Sequence, residues 1–335
     1  MDSLTQFALG AAVGVAVMRR RTPPWKAALI GGLCGTLPDM DASYNHGDPI
    51  RNMTLHRAES HALFWLTLAS PVIALIAATL AREMAQFRHW WLAVWLILVT
   101  HAVLDWFTVY GTQLGLPFTN FPYVVGSVFI IDPLYTLPLL IGAGVALVLR
   151  NDKGWRWNLA GLVVSSLYLG WGVLAQSHVR GIAEESLRAD GQTVERLLVT
   201  PTPLNSVLWR VVAVTPQGYL EGFHSLLDRD RRIVFALHPR GEKLYEAMRG
   251  DWNAERIAWF SHGFFKMSER NGNVIISDLR MGQEPFYSFN FVIGKKDGDR
   301  IAPVTPISFR EQHDVRSGVS WIWRRALGEQ LPPPK

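Results

Sequence analysis

The 335-residue chain holds a single cysteine, Cys34, inside an apolar run. One thiol excludes an intrachain disulfide framework and any cysteine-based zinc motif. Charge is scarce at first: residues 1–177 carry 11 Lys and Arg and 9 Asp and Glu, against 22 and 19 in residues 178–335. Such poverty excludes an ordinary soluble domain ahead of residue 178, where about a quarter of positions would be charged. No basic stripe with interleaved aromatics occurs, so the net charge of +5 does not point to nucleic acid. Nor is a cleavable signal peptide visible. The basic run Arg19-Arg20-Arg21 follows the first apolar segment instead of preceding it.

What is present is a set of six apolar segments, at roughly 4–18, 25–37, 61–80, 89–107, 128–149 and 157–177. The last four are long enough to cross a hydrocarbon core of ~30 Å as helices, and the first two are short. The expected fold is an α-helical membrane bundle of about six transmembrane helices (1–177), followed by a small extracytoplasmic α+β domain (178–335). The connections after segments 1, 3 and 5 hold 9 of the 11 basic residues of that half, which assigns those loops to the cytoplasm. The opposite face receives Asp2, Asp39, Asp41, Asp48, Glu59, Asp105 and Asp132, together with His46, His56, His61 and His101. A cell (inner) membrane, multi-pass protein with a negatively charged, His-rich site on its outer face follows. From Trp25, helical rise places Asp39 at a depth of ~21 Å, so that site lies within the outer leaflet.

Three pieces carry the chemistry. Pro38-Asp39-Met40-Asp41 sets two acids just beyond a helix-ending proline, where both can turn toward one cation, although an acidic turn has the same look. His56-Arg57-Ala58-Glu59-Ser60-His61 leads into segment 3; its histidines are five apart and do not share a helix face. His101 and Asp105, at i and i+4 late in segment 4, do share one. An ionisable pair at that depth is costly and faces a bundle interior or a water-filled cavity, as a functional or a structural pair. Imidazole and carboxylate ligands suit Zn, Mn or Fe(II). Asp39, Asp41, His56, His61, His101 and Asp105 exceed one tetrahedral site, so either two ions bind or some of these residues orient the others. Arg57 is a candidate clamp for an anionic substrate oxygen. Glu59 is a candidate base, and Asp132 reads equally as a helix cap.

These stretches resemble a known family, the YdjM-type membrane-bound metal-dependent hydrolases predicted in bacteria and archaea. The matching residues are Met1–Gln6 with Leu9-Gly10-Ala11, then Gly35–Asp41, HRAESHAL (56–63), HAVLDWFTVYGTQLGLPF (101–118) and FIIDPLYTLPLL (129–140). The resemblance implies a metal site at Asp39, Asp41, His56, His61, His101 and Asp105. Many relatives carry His where Gln6 stands and Gly where Ala58 stands, and they have no counterpart of Glu59.

In the second half, residues 178–191 read as a helix. Strands follow at 194–199, 207–214, 219–226, 233–237, 264–268, 274–278 and 286–293, with a helix near 254–260 and a tail from Leu331 to Lys335. Thr200-Pro201-Thr202-Pro203-Leu204-Asn205 reads as a turn builder, and Arg280 as a candidate contact for substrate phosphate or carboxylate. The expected function is a metal-dependent hydrolase acting on a lipid or other amphipathic phosphoester. It would use one or two divalent ions (Zn first, then Mn or Fe), with Asp39, His61, Asp105 and Arg57 as the catalytic set. A metal-stapled scaffold and a metal- or proton-coupled transporter are the alternatives. The inner halves of segments 3, 5 and 6 are apolar (Ile73–Leu80, Leu139–Leu149, Leu159–Leu162), which disfavours a path through to the cytoplasm.

Overall fold

The structure is a computed structural model that describes residues 1–298, 300–311 and 314–334. The chain forms two compact units: Met1–Tyr44 with His56–Val173, and Asn45–Leu55 with Leu174–Lys335. The segment 45–55, which carries His46 and Asp48, is thus a piece of the second unit set into the sequence of the first.

The first unit is helical. Its elements are α1 (Ser3–Met18), α2 (Pro24–Thr36), α4 (Leu63–Ala81), α5 (Phe87–Trp106), α6 (Pro133–Leu149) and the first part of α7 (Asp152–Ala189); α3 (Pro49–Leu55) belongs to the second unit. Three described helices are long and apolar enough to cross a membrane: Leu63–Ala81, Met84–Trp106 and Asp152–Ala189. The expectation of six spans is corrected accordingly. At ~1.5 Å per residue, α1, α2 and α6 reach only about 24, 20 and 26 Å. Their ends have local causes. Arg19 leaves the helical region at φ 48, Pro38 follows α2, and Pro133 fixes the first turn of α6 while Asp132 caps it by accepting from the Leu134 N–H. Residues 128–132, expected to be helical, precede that start. Conversely, no break occurs at Gln176-Ser177-His178, where neither Gly nor Pro stands, and α7 runs on to Ala189 before Gly191 (φ 67) ends it. The exposed stripe Leu68, Val72, Ile76 and Leu80 on α4 is the surface that a bilayer covers.

The α1–α2 pair meets through glycine. A Cβ on Gly10 or Gly31 would collide with the carbonyl of the other, and one on Gly14 with that of Ala27. Small residues four apart let helix backbones touch. Asn158 and Trp155 of α7 then donate to the Ala12 and Ala16 carbonyls at 2.8 and 3.0 Å, tying α7 to α1. Gly31→Leu is expected to wedge the pair apart and lower Tm in detergent by roughly 5 °C or more. Differential scanning fluorimetry checks this, and an unchanged Tm would contradict the close-packed interface.

The second unit is all antiparallel. One sheet is the meander β1 (Arg196–Pro201), β2 (Leu208–Thr215), β3 (Gly218–Ser225), β4 (Phe235–His238). Val179, Ile182 and Ala183 of α7 pack on it with Val199, Trp209 and Val211. Then come α8 (Glu242–Ala247), α9 (Trp252–Phe260), β5 (Phe265–Arg270), β6 (Asn273–Asp278), the β7–β8 hairpin (Gly282–Gln283, Phe286–Tyr287), β9 (Asn290–Asp297), β10 (Arg300–Phe309) and α10 (Val315–Ala326). The second sheet runs β10-β9-β6-β5. The strand expected at 286–293 is divided between β8 and β9. β10 escaped the sequence pattern because Pro303 and Pro306 interrupt it; prolines are tolerated there because β10 is an edge strand, bulged between Pro303 and Ile307. Asn205 is the turn builder, its side-chain oxygen accepting from the Val207 and Leu208 N–H groups. Arg280 is 3% exposed and paired with Asp278 at 2.6 Å, so its guanidinium is largely committed inside the domain. A second buried network joins Arg210 to Glu221, and Glu284 to Lys266 and Tyr219. Burial pushes the Glu284 carboxyl up, but Lys266 and the Tyr219 hydroxyl hold it below the usual range. Of the expected tail, residues to Pro334 are irregular and Lys335 lies outside the described residues.

Candidate metal centre

Four elements of the first unit converge. Asp39 lies on the 3-10 turn Pro38–Ser43 that follows α2, and His61 ends the 3-10 turn Glu59–His61 before α4. His101 and Asp105 share the last turns of α5, and Gln6 sits on α1. His61, His101, Asp105 and Gln6 are at most 1% exposed. One ligand atom each from Asp39, His61, His101 and Asp105 lies within 4.8 Å of the others. Around His61 Nε2, the separations are 3.0 Å to His101 Nε2, 3.1 Å to Asp105 Oδ2 and 3.4 Å to Asp39 Oδ1. His101 Nε2 is 3.6 Å from each of the same carboxylate oxygens. A tetrahedral ion with ligands at ~2.0–2.1 Å has edges of about 3.3 Å.

The protons explain why these residues could hold a cation. His101 Nδ1 lies 2.7 Å from the Gly35 carbonyl, which can only accept, so Nδ1 carries the proton. Ser60 Oγ donates to Asp41 Oδ2 at 2.5 Å and so accepts from His61 Nδ1 at 2.8 Å. Both neutral rings are thereby locked with bare Nε2 lone pairs, which face each other across 3.0 Å. Asp105 Oδ2 is buried and accepts no hydrogen bond, while Oδ1 is held by Gln6 Nε2 at 3.1 Å and by the Met1 amino group. The two bare lone pairs and the nearby Asp39 and Asp105 oxygens repel one another; Arg57 offsets this on one side of Asp105 Oδ2, and a cation among the four would offset the rest. The donor set fits a divalent first-row ion.

Asp41 and His56 stand outside the four. The Asp41 oxygens accept from His56 Nδ1 (2.7 Å), the Arg57 N–H (2.9 Å) and Ser60 Oγ, so Asp41 orients His61 through Ser60. Burial pushes its carboxyl up, but the hydrogen bond and charge of His56, then Ser60 and the Arg57 N–H, bring it down to about 2. Arg57 is 4% exposed, with Nε 3.2 Å from Asp105 Oδ2, Nη1 donating to Thr108 Oγ1 and the guanidinium over Tyr110. Its φ is 63, a left-handed conformation that a non-glycine residue keeps only where its surroundings impose it. Here the Arg57 N–H is bonded to Asp41, and its carbonyl accepts from the Gln113 N–H at 3.0 Å.

Glu59 is exposed, and Asp48 caps α3 in the second unit by accepting from Ile50 and Arg51 N–H. Asp132 caps α6 and accepts from Tyr168 at 2.8 Å, and Cys34 is buried packing. Sequence reasoning reached Gln6 only as the position where relatives carry His, and gave Ser60 and the Gly35 carbonyl no part in the centre. Gln6 was signalled by the polar pair Thr5-Gln6 in an otherwise apolar helix; a backbone carbonyl leaves no signal.

The sequence profile described as the YdjM inner membrane protein matches residues 1–179, more than half of the chain and all of the centre just described. Among curated proteins, the chain is similar to the uncharacterized protein YfhP of Bacillus subtilis (strain 168), 26% identical over 238 residues, which is 67% of this chain and 68% of the relative. No solved structure matches it. A membrane protein by its apolar helices, with a His/Asp cluster able to hold a metal ion, the chain belongs to the YdjM inner membrane protein family.

Proposed function

We propose that the protein is a multi-pass, metal-dependent hydrolase whose centre opens to the non-cytoplasmic side and acts on an amphipathic phosphoester. The observation that carries this reading is the pair of bare Nε2 atoms of His61 and His101 converging with Asp39 and Asp105 on one point. Asp39, His61, His101 and Asp105 would hold one divalent ion, Zn, Mn or Fe(II). When bound, such an ion acidifies a water and polarises the bond under attack. The remaining residues have their own tasks. Asp41 and Ser60 keep His61 in its ligating tautomer. His56, with Nδ1 donated to Asp41 and its side chain 20% exposed, keeps Nε2 free to take or give a proton at the edge of the centre. Arg57 sets a guanidinium beside Asp105, where it can neutralise a phosphoryl oxygen. An ion flanked by a fixed cation suits an anionic substrate better than a carboxylic ester, and the basic loops assigned to the other face support a C-terminal domain outside the cell.

A structural ion is the second reading, favoured by four protein ligands of which three are buried. Hydrolysis separates the two. Protein purified in mild detergent is expected to release phosphate or a phosphorylated headgroup from mixed-lipid micelles, to lose this on chelation and to regain it with one of the three ions. An intact ion without turnover on any lipid phosphomonoester or phosphodiester would leave the structural reading.

A further inference from the structure

Between Asp41 and His56 the chain makes a 14-residue excursion whose two ends meet, since His56 Nδ1 is 2.7 Å from Asp41 Oδ1. The excursion is not a free loop. Its segment 45–55 clusters with the second unit, and within it Ile50 and Thr54 are fully buried and Met53 is 4% exposed. What seizes it is α9. Arg256 Nε donates to Thr54 Oγ1 at 2.9 Å and Nη2 to the Thr54 carbonyl at 3.4 Å. The Arg256 guanidinium lies over Trp259 at 4.3 Å, and Arg51 lies over Trp252 at 4.9 Å. This Arg/Trp ladder has the look of an anion site, but its donors are engaged: Arg256 on Thr54, and Arg51 on Asp48 at 3.2 Å. It reads as a clamp.

The clamp ends two residues before His56 and three before Arg57, the residue held at φ 63. A left-handed arginine needs its neighbours fixed on both sides. On the far side are the Asp41 and Gln113 contacts of Arg57, and on the near side is Thr54. We propose that Arg256, distant in sequence and outside the centre, is a positioning residue for the His56–His61 limb. By anchoring Thr54 it holds the limb in the conformation in which Asp41 and Ser60 orient His61. The inference rests on the metal reading above for its consequence, though not for the anchoring itself.

The test uses the full chain in detergent, with Arg256→Gln, Thr54→Val and the double variant. Hydrogen exchange of the peptide spanning 54–62 is followed in metal-free protein, and Co2+ is titrated by its visible absorption. Arg256→Gln is expected to speed exchange at residues 56–61 by about tenfold or more, and to weaken Co2+ binding by about tenfold with a changed spectrum. Thr54→Val should do the same, and the double variant should do no more than either single one, because the two partners share one interaction. Unchanged exchange would overturn the anchoring, and faster exchange with Co2+ affinity and spectrum intact would overturn the positioning role. A wild-type chain that takes up no Co2+ would remove the metal reading, and with it the positioning role, while the exchange data would still decide the anchoring.

Discussion

His101→Ala is expected to empty the metal centre, whereas Asp41→Asn weakens it without emptying it. Wild-type protein should carry about one divalent ion per chain by mass spectrometry, and His101→Ala below roughly a tenth of that after gel filtration. The asymmetry follows from the tautomer argument. His101 offers its lone pair directly, its ring fixed by the Gly35 carbonyl. Asp41 orients His61 through Ser60 without supplying an oxygen to the four converging ligand atoms, and losing such an orienting partner costs about 10–100-fold in affinity. Asp41→Asn should therefore refill at raised metal concentration, and His101→Ala should not. Equal, complete loss in both would make Asp41 a ligand and would favour a centre with more protein donors than the four that converge here.

The sequence reading reached this centre because its signals are chemical and local. His101 and Asp105 are one turn apart on a helix, and Asp39 follows a helix-ending proline, so spacing alone sets their direction. The histidines 56 and 61 carried no such information. Five apart across a strained Arg57 and a 3-10 turn, they diverge, one to Asp41 and the other into the centre. Hydropathy gave the helices but not their lengths, because capping and proline decide where a helix stops, as at Asp132-Pro133. Nor could any linear pattern show that 45–55 is packed with α9, some 200 residues away, or that an edge strand with two prolines would form at 300–309. Those outcomes depend on tertiary contacts that local propensity does not encode.

Arg57→Gln is expected to separate metal binding from turnover, the split that a substrate clamp produces and a ligand does not. The guanidinium is a fixed positive charge 3.2 Å from Asp105 Oδ2, so it would oppose an ion held by that oxygen. Removing it takes away that repulsion, and metal affinity should stay level or rise, by up to about tenfold for one unscreened charge near a partly polar site. Hydrolysis of a phosphoester should fall by about two to three orders of magnitude, the usual cost of losing one donor aimed at developing charge. The metal content doubles as the folding control, which matters because Arg57 is buried and left-handed. Arg57→Lys keeps the charge but not the fork that also reaches Thr108, so it should recover only a small part of the rate. If Arg57→Gln loses the ion along with activity, Arg57 acts chiefly by shaping the limb that carries His61. If it keeps both, the anionic substrate is held elsewhere, and the reason for preferring a phosphoester disappears.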